Sequence, residues 1–294
     1  TALPLFVWMG EILFRTKLSE NLFEGLAPWL QKLPGGLIHV NVVGCALFAA
    51  ISGSSAATVA TVGKMSIPEL RKRKYPEKIL LGSLAGSGTL GLLIPPSIIL
   101  IIYGVTVQES IAKLFIAGII PGIMIALIFM GYVIIWSLLY KNKMPLTEEN
   151  YSFLNKLSKS KQLIPVILLI LGVIGSIYTG IATATEAASL GVVGALILSY
   201  FQKSLNLKTF KESLLGATKT SCMIAFILAG ATFLSLAMGF TGLPRNLAIW
   251  IQNMELSPYV LIFVLMIFYI ILGMFLDGIS AVVLTMAIIE PMIR

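Results

Sequence analysis

Residues 48–58 read Phe-Ala-Ala-Ile-Ser-Gly-Ser-Ser-Ala-Ala-Thr, and the four small polar residues Ser52–Ser55 inside this stretch decide the fold. They separate two helical segments, 37–51 and 56–67, of 15 and 12 residues. At about 1.5 Å per residue these segments reach roughly 22 and 18 Å, whereas a hydrocarbon core is roughly 30 Å thick. Neither segment can cross a bilayer alone, so the pattern predicts a re-entrant helical hairpin (hairpin 1, residues 37–67). Its non-helical tip is tolerable only against protein or a water-filled cavity.

The composition is that of an all-α integral membrane protein. Apolar residues make up 57% of the 294-residue chain, charged residues 12%, and the mean hydropathy is +0.96. A soluble domain carries roughly twice that charged fraction. The chain opens inside an apolar run without a start Met and stops at Arg294 after another, so we expect native sequence beyond both ends. The single histidine, His39, excludes a His-rich metal site.

The distribution of positive charge gives the topology. If hairpin 1 opens to the cytoplasm and a second hairpin opens to the outside, 18 of the 21 Lys and Arg residues are cytoplasmic and three (Lys113, Arg245 and Arg294) are outside. This asymmetry is the one that the positive-inside rule requires. The basic run 64–78 contains one aromatic residue, Tyr75. We therefore interpret it as a loop facing anionic lipid rather than a nucleic-acid site.

Two halves of the chain resemble each other at an offset of about 220 residues. Phe6 and Gly10 correspond to Phe226 and Gly230, Trp29 corresponds to Trp250, and the tip 52–56 corresponds to Asp-Gly-Ile-Ser-Ala at 277–281. We predict an inverted repeat, an arrangement that places binding sites near the bilayer midplane at broken helices. The predicted units are 1–140, with a scaffold helix, hairpin 1 and a broken helix at 79–103; a cytoplasmic linker at 141–162; and 163–294, an incomplete second copy with hairpin 2 at 258–290.

Apolar runs and prolines also predict individual helices. We expect two pieces, about 110–119 and 122–140, divided at Pro121, and spans at 163–179 and 186–201. An amphipathic piece at 204–217 precedes a span of about 219–239. Another amphipathic stretch, 19–31, precedes hairpin 1.

The tip of hairpin 1 and residues 86–97 carry the first candidate site. The latter read Gly-Ser-Gly-Thr-Leu-Gly-Leu-Leu-Ile-Pro-Pro-Ser, and Gly and Pro there deprive several carbonyls of helical partners. Such carbonyls, with the tip hydroxyls, form an oxygen cage suited to sodium, and opposed helix N-termini can hold a carboxylate. The alternative is a proline-kinked helix beside a small-residue packing interface.

Two acidic residues are further candidates. Asp277 is the only aspartate and interrupts an apolar run, where a carboxylate costs about 2.5–3.5 kcal/mol and by default marks function. It is also a plausible N-cap for the following helix. Glu186 follows Thr183 and Thr185 at the start of a span, where it either caps the helix or contacts the ligand. We expect substrate contacts from Ser54, Ser97, Asp277, Thr185 and Glu186.

Five motifs in order resemble one family. Residues 48–58, 88–97 and 117–122 (Ala-Gly-Ile-Ile-Pro-Gly), then 183–188 (Thr-Ala-Thr-Glu-Ala-Ala) and 273–277 (Gly-Met-Phe-Leu-Asp), look like the large membrane subunit of tripartite ATP-independent periplasmic (TRAP) transporters. The resemblance covers essentially the whole chain. It implies a sodium-driven elevator in the bacterial inner membrane, in which a transport domain with both hairpin tips slides against a scaffold.

The resemblance also implies ligands and partners. A periplasmic substrate-binding protein would deliver a carboxylate such as a C4-dicarboxylate or sialic acid, and a small membrane subunit would support the scaffold. The first sodium site would use Ser52, Ser54, Ser55, Gly91, Ile94 and Pro96. A second would involve Gly273 and Asp277, but the counterpart of residues 94–96 in the second copy is missing because the chain ends first.

Three alternatives remain. The nearest is a sodium–dicarboxylate symporter with similar hairpins that works alone, and dependence on a binding protein would separate the two. An intramembrane protease would need two aspartates or a Ser–His pair, whereas one aspartate is present and His39 lies well before the serine tip. A purely structural subunit would leave the polar tips as an unexplained cost.

Overall fold

The computed structural model describes residues 2–16, 18–145, 152–161, 163–242, 246, 249–251, 253–254 and 257–293. The helices that build the site and its surroundings are, in chain order, α1 (Ala2–Phe14), α2 (Leu18–Leu30), α3 (Ile38–Ser52), α4 (Ser55–Lys72), α5 (Glu77–Gly88), α6 (Ile98–Thr106), α7 (Ile111–Leu139), α8 (Phe153–Ser160), α9 (Ile164–Tyr178), α10 (Ala184–Phe201), α11 (Leu207–Thr241), α12 (Pro258–Gly273) and α13 (Gly278–Ile293). Short 3-10 helices occupy Thr89–Leu92 and Lys141–Lys143. Within these residues there is no strand, which confirms the all-α prediction.

Hairpin 1 consists of α3 and α4, packed against each other and against α5. Its two ends are held together, because the backbone N–H of Leu37 donates to the Tyr75 hydroxyl at 3.1 Å. Asn41, fully buried, donates to the carbonyl of Leu80 at 3.2 Å and so fastens α3 to α5. The hairpin therefore enters and leaves at one end of a three-helix unit.

Three described helices are long and apolar enough to cross a membrane: α7, α10 and α11. Helices α8 and α9 together form a fourth candidate that is bent by 55°. Neither arm of hairpin 1 is in this set, as the re-entrant prediction requires, although the re-entrance itself stays a prediction. In α7 and α11 only 17% and 12% of the apolar window is buried, so most of each surface is available to lipid.

The core lies around α1 and α3. Helix α1 packs on α10, α11 and α3, and α3 also contacts α7. Phe6 of α1 meets Phe115 of α7 edge to face, with ring centroids 6.0 Å apart. Gly10 of α1 lies directly over the end of α3, since a Cβ there would be 3.0 Å from the Cα of Ser52. Buried apolar side chains thus support the tip of hairpin 1 from behind.

Several predicted boundaries are wrong. Pro121 does not divide a helix, because it lies inside the continuous 29-residue α7. The pieces 204–217 and 219–239 form one helix, α11, of 35 residues. Helix α4 continues through Pro68 to Lys72, so the basic run begins as helix rather than loop. In the linker 141–162, residues 146–151 and 162 lie outside the described residues, as do Lys17, Arg245 and Arg294 from the charge count.

The two repeat copies differ in their packing. Gly10 contacts the tip of hairpin 1, whereas a Cβ at Gly230 would meet nothing within 4 Å. Phe6 is 3% exposed, but its counterpart Phe226 is 81% exposed. The predicted division of the chain into inverted units stays a prediction.

Candidate functional site

The tip of hairpin 1 is a sharp reversal that glycine makes possible. Gly53 follows α3 in the left-handed region with φ 57°, and its N–H donates to the carbonyl of Ala49 at 2.9 Å. A residue with a Cβ rarely adopts this conformation. Ser54 is extended and caps α4, with its hydroxyl 3.5 Å from the backbone nitrogen of Ala57. Ser52–Ser55 therefore break the helix where the sequence predicts.

A hydroxyl network fixes the oxygens of this tip. The Thr58 hydroxyl donates to the carbonyl of Ser54 at 2.7 Å and lies 2.9 Å from the hydroxyl of Ser52. The backbone N–H of Ser54 donates to the Ser52 hydroxyl at 3.3 Å. Ser52 is 5% exposed and Thr58 is fully buried. Thr58 is not among the site residues predicted from the sequence; its signal is its position four residues after Ser54, where a hydroxyl reaches the i−4 carbonyl.

The predicted broken helix is the second component. Helix α5 ends at Gly88, a 3-10 turn follows, and α6 begins only at Ile98. Between them the chain passes through a cis peptide bond at Pro95–Pro96, and neither proline has an N–H to donate. The Ser97 hydroxyl donates back to the carbonyl of Leu92 at 2.6 Å and closes the loop. Ser97 is fully buried.

The two breaks lie in direct contact. The backbone N–H of Ile98 donates to the carbonyl of Gly53 at 3.2 Å. A Cβ on Gly91 would lie 2.8–2.9 Å from the backbone atoms of Ser54 and Ser55, and one on Gly53 would lie 2.9 Å from the carbonyl oxygen of Pro96. Only glycine permits so close an approach. The structure thus brings together the tip serines, Gly91 and Pro96.

Ile94 lies on the same segment but faces α7. Its N–H donates to the carbonyl of Leu90 at 2.9 Å. Its side chain would touch a Cβ at Gly122 of α7 at 2.9 Å, and the carbonyl oxygen of Leu93 would be 2.8 Å from a Cβ at Gly118. Two α7 glycines therefore accommodate the close approach of the broken helix.

Hairpin 2 approaches the same break with its own tip. A Cβ on Gly278 would lie 2.7 Å from Ile99 and 3.3 Å from Leu92, and α13 packs on α6 and α11. Asp277 is exposed and acts as an N-cap, because its Oδ2 accepts from the backbone N–H groups of Ile279 (3.1 Å) and Ser280 (3.3 Å). Gly273 is exposed, with no atom within 4 Å of a Cβ built on it. The tip of hairpin 2 thus contacts the broken helix at Gly278, and Gly273 lies at the end of α12, before this tip.

Thr185 and Glu186 lie in a different setting. The Glu186 carboxylate accepts from the backbone N–H and the hydroxyl of Thr183, each at 2.8 Å, and forms a capping box at the start of α10. Glu186 is exposed, and α10 packs chiefly on α1 and α9. The capping alternative describes the contacts of Glu186. The structure does not bring this pair to the tip of hairpin 1.

The donor set at the two breaks consists of hydroxyl and carbonyl oxygens. Among the described residues, no group of three or more His, Cys, Asp and Glu side chains is arranged to hold a metal ion. Hydroxyls and carbonyls suit hard cations, whereas thiolate and imidazole select softer metals. The cradle between Gly91 and the Ser54 carbonyl is closed to any side chain at position 91. The residues present are therefore compatible with an alkali cation.

Comparison with known proteins gives one consistent result. The family model of the tripartite ATP-independent periplasmic transporter DctM component matches residues 1–294. The C4-dicarboxylate TRAP transporter large permease protein DctM of Pseudomonas aeruginosa is 33% identical over 287 residues, covering 97% of this chain and 66% of that protein. The sialic acid TRAP transporter large permease protein SiaM of Vibrio cholerae is 30% identical over 293 residues, covering 99% and 67%.

A third relative carries a different substrate name. The 2,3-diketo-L-gulonate TRAP transporter large permease protein YiaN of Escherichia coli is 30% identical over 301 residues, covering 100% of this chain and 68% of that protein. The chain spans about two thirds of the length of these relatives. All three are named as large permease proteins of TRAP transporters. The chain belongs to the family of the DctM component, the large permease of tripartite ATP-independent periplasmic transporters.

Proposed function

We propose that this chain is the transport core of a sodium-coupled importer of a small organic anion in the bacterial inner membrane. The observation that carries the proposal is the contact between two interrupted helices, hairpin 1 at Ser54 and the broken helix at Gly91. Interrupted helices expose carbonyls and N–H groups that a continuous helix would use internally. Inside a membrane such groups need a partner. A cation would bind the exposed carbonyls, and a carboxylate would bind the exposed N–H groups.

Sodium would bind at the tip of hairpin 1. The ligands we propose are the hydroxyl of Ser52 and oxygens of Ser54, Ser55, Gly91, Ile94 and Pro96. The tip of hairpin 1 is supported by buried packing and by the Thr58 hydroxyl, so its oxygens are held in place before an ion binds. Such preorganisation lowers the cost of binding. A second ion would bind near Gly273 and Asp277, where a Cβ on Gly273 would meet no atom within 4 Å.

The substrate would bind between the two tips. Ser54 and Asp277 each stand at the N-terminus of a hairpin arm, α4 and α13, and Ser97 stands at that of α6. Helix N-termini favour anions, and these three helices meet at the broken segment. We propose a carboxylate as the ligand, in line with the C4-dicarboxylate and sialic acid named for two relatives. Thr185 and Glu186 would contribute only if α10 approached the tips in another state of the transport cycle.

The elevator mechanism and the partners belong to the same proposal. Hairpin 1 with α5 and α6 would move as part of the transport domain. A periplasmic binding protein would deliver the anion, and a small membrane subunit would brace the scaffold. A sodium–dicarboxylate symporter that works alone is the competing function, and it would require no binding protein.

Uptake by the full-length permease in proteoliposomes tests the proposal. We expect uptake of a labelled carboxylate only with a sodium gradient, the small subunit and the binding protein present. Ser54→Ala and Asp277→Asn should impair uptake without preventing membrane insertion. Sodium dependence that is unchanged in both variants would remove the site assignment, and uptake without a binding protein would favour the symporter.

A further inference from the structure

Two cavities lie one after the other along α7, the first beside the entrance of hairpin 1 and the second between α7, α3 and α5. Together they are called the groove. The first, the polar cavity, has a volume of about 340 Å³ and lies at the basic end of α7, lined by residues that include Lys32, Pro34, Gly36, Tyr75, Ser137 and Lys141. The second, the apolar cleft, has a volume of about 310 Å³ and is lined by residues that include Val42, Gly82, Ser83, Ile128, Phe129 and Tyr132.

The polar cavity is built for an anion. Lys32 and Lys141 stand on its rim, and none of the described residues that line it is acidic. The Tyr75 hydroxyl accepts the N–H of Leu37 at 3.1 Å, and within the described part of the chain it donates its own hydrogen to no other group. Burial raises the pKa of the Tyr75 phenol, so this hydrogen is retained at neutral pH. The carboxylates of Glu69 and Glu77, on the two helices that flank Tyr75, each pair with an arginine.

The apolar cleft is built for hydrocarbon. Its walls are aliphatic and aromatic side chains, and its floor is open at Gly82, where a Cβ would meet no atom within 4 Å. Phe129 closes one end, 3.4 Å from a Cβ on Gly86. Tyr132 is 58% exposed and presents an aromatic edge to the surroundings. Empty apolar space of this kind on a lipid-facing helix is filled by an acyl chain at no polar cost.

The two cavities are adjacent, so one molecule with a polar end and an apolar end can fill both. Gly35, in the wall of the polar cavity, is in contact with Val133, in the wall of the apolar cleft, since a Cβ there would lie 2.6 Å from the valine methyl. From Ser137 to Phe129 the helix descends eight residues, or about 12 Å. That distance lies within one leaflet of a hydrocarbon core roughly 30 Å thick. An interfacial headgroup and its own acyl chain therefore match both sites.

We propose that one anionic phospholipid binds in this groove, with its phosphate between Lys32, Lys141 and the Tyr75 hydroxyl and one acyl chain in the apolar cleft. A soluble anion would account for the lysines but not for the cleft beneath them. A neutral lipid would account for the cleft but not for the lysines. The lipid bridges α7 to the entrance of hairpin 1, independently of what the permease carries.

Native mass spectrometry of the delipidated full-length permease tests the proposal with three probes: dioleoylphosphatidylglycerol, dioleoylphosphatidylcholine and inorganic phosphate. Each lysine near an anionic headgroup contributes about fivefold in affinity. We therefore expect Lys32→Gln/Lys141→Gln to bind phosphatidylglycerol roughly 30-fold more weakly. The matched control is Lys78→Gln/Lys208→Gln, which removes the same charge at exposed positions outside the cavity.

A second pair of variants probes the acyl chain and keeps the test independent of charge. Gly82→Leu fills the cleft from α5 and should weaken phosphatidylglycerol binding at least about tenfold, while Gly131→Leu, at an α7 position with open space, should not. Equal retention of the two lipids by the wild type, or no loss in Lys32→Gln/Lys141→Gln, would overturn the proposal. Phosphate binding as tightly as the lipid, with Gly82→Leu without effect, would show a soluble-anion site and refute the lipid.

Discussion

Gly91→Ala is the substitution that most sharply probes the contact between the two broken helices. The added Cβ would lie 2.8 Å from the carbonyl carbon of Ser54, 2.9 Å from its oxygen and 2.9 Å from the nitrogen of Ser55. All three are backbone atoms, so no side chain can turn aside and the tip of hairpin 1 must move. Overpacking of this kind costs about 1–3 kcal/mol. The loss of backbone freedom in the unfolded chain returns about 0.4–1 kcal/mol, which leaves a net destabilisation of roughly 1–2 kcal/mol.

The assay is thermal unfolding of the purified permease in matched sodium and potassium salts. A bound ion at ten times its dissociation constant stabilises the folded state by about 1.4 kcal/mol. We expect the wild type to melt higher in sodium, and Gly91→Ala to lose both baseline stability and the sodium increment, because its Cβ occupies the cradle beside the Ser54 carbonyl. Gly131→Ala is the control, since its Cβ would meet nothing within 4 Å and it lies outside both candidate sites. If Gly91→Ala matched Gly131→Ala in both salts, the contact would have no part in ion binding.

Substitutions at three further sites test helix capping, the Asp277 charge and the hydroxyl network at the tip of hairpin 1. Asp277→Asn keeps an oxygen for the two N–H groups of α13 and should change the unfolding free energy by less than about 0.5 kcal/mol, while Asp277→Ala should cost about 1 kcal/mol. Uptake should fall in both variants. Full uptake by Asp277→Asn would show that this carboxylate only caps the helix. Ser52→Ala removes a hydrogen-bonding neighbour of the buried Thr58 hydroxyl and should lower the free energy of unfolding, measured by chemical denaturation, by about 1–2 kcal/mol. Because the two hydroxyls share one hydrogen bond, the double variant Ser52→Ala/Thr58→Ala should lose less than twice that amount. Thr183→Ala removes the cap of α10 and should cost about 1 kcal/mol with the sodium dependence of uptake unchanged; an altered dependence would bring Glu186 back as a ligand.

The local breaks could be predicted because their causes are local. A glycine between serines ends α3 with φ 57° at Gly53, and two prolines that lack N–H groups lie between the 3-10 turn Thr89–Leu92 and the start of α6 at Ile98. The contact between Gly91 and Ser54 could not be predicted from spacing. It depends on how α5 packs on α4, and the sequence of neither segment specifies that packing.

The prediction that Pro121 divides a helix is wrong. In α7 this residue removes one N–H from a 29-residue helix, and membrane helices tolerate such a loss when neighbours or local adjustment satisfy the freed carbonyl. Gly118 and Gly122 on either side pack against the broken helix, so the Ala-Gly-Ile-Ile-Pro-Gly stretch is an interface rather than a boundary. In α11 the change from polar to apolar sequence marks a change of surroundings along one continuous helix.

The charge count constrains the topology less than the helix lengths do. It requires each hairpin to return to the side that it left, and a re-entrant hairpin and a pair of complete spans satisfy this equally. The distinction comes from α3, which has 15 residues and reaches about 22 Å, and from α4, which is not among the apolar spans. The polar tip between them is therefore predicted to stop inside the membrane.

The most direct test of the central claim is the alkylation rate of a cysteine placed at the exposed Ala56, beside the tip of hairpin 1, in membranes containing the permease without Cys45 and Cys222. A membrane-impermeant maleimide should react with Ala56→Cys from one side only, and sodium, but not potassium, should slow the reaction several-fold as the tip closes around the ion. A rate that is the same in sodium and potassium would contradict the account, because the tip would then bind no coupling ion.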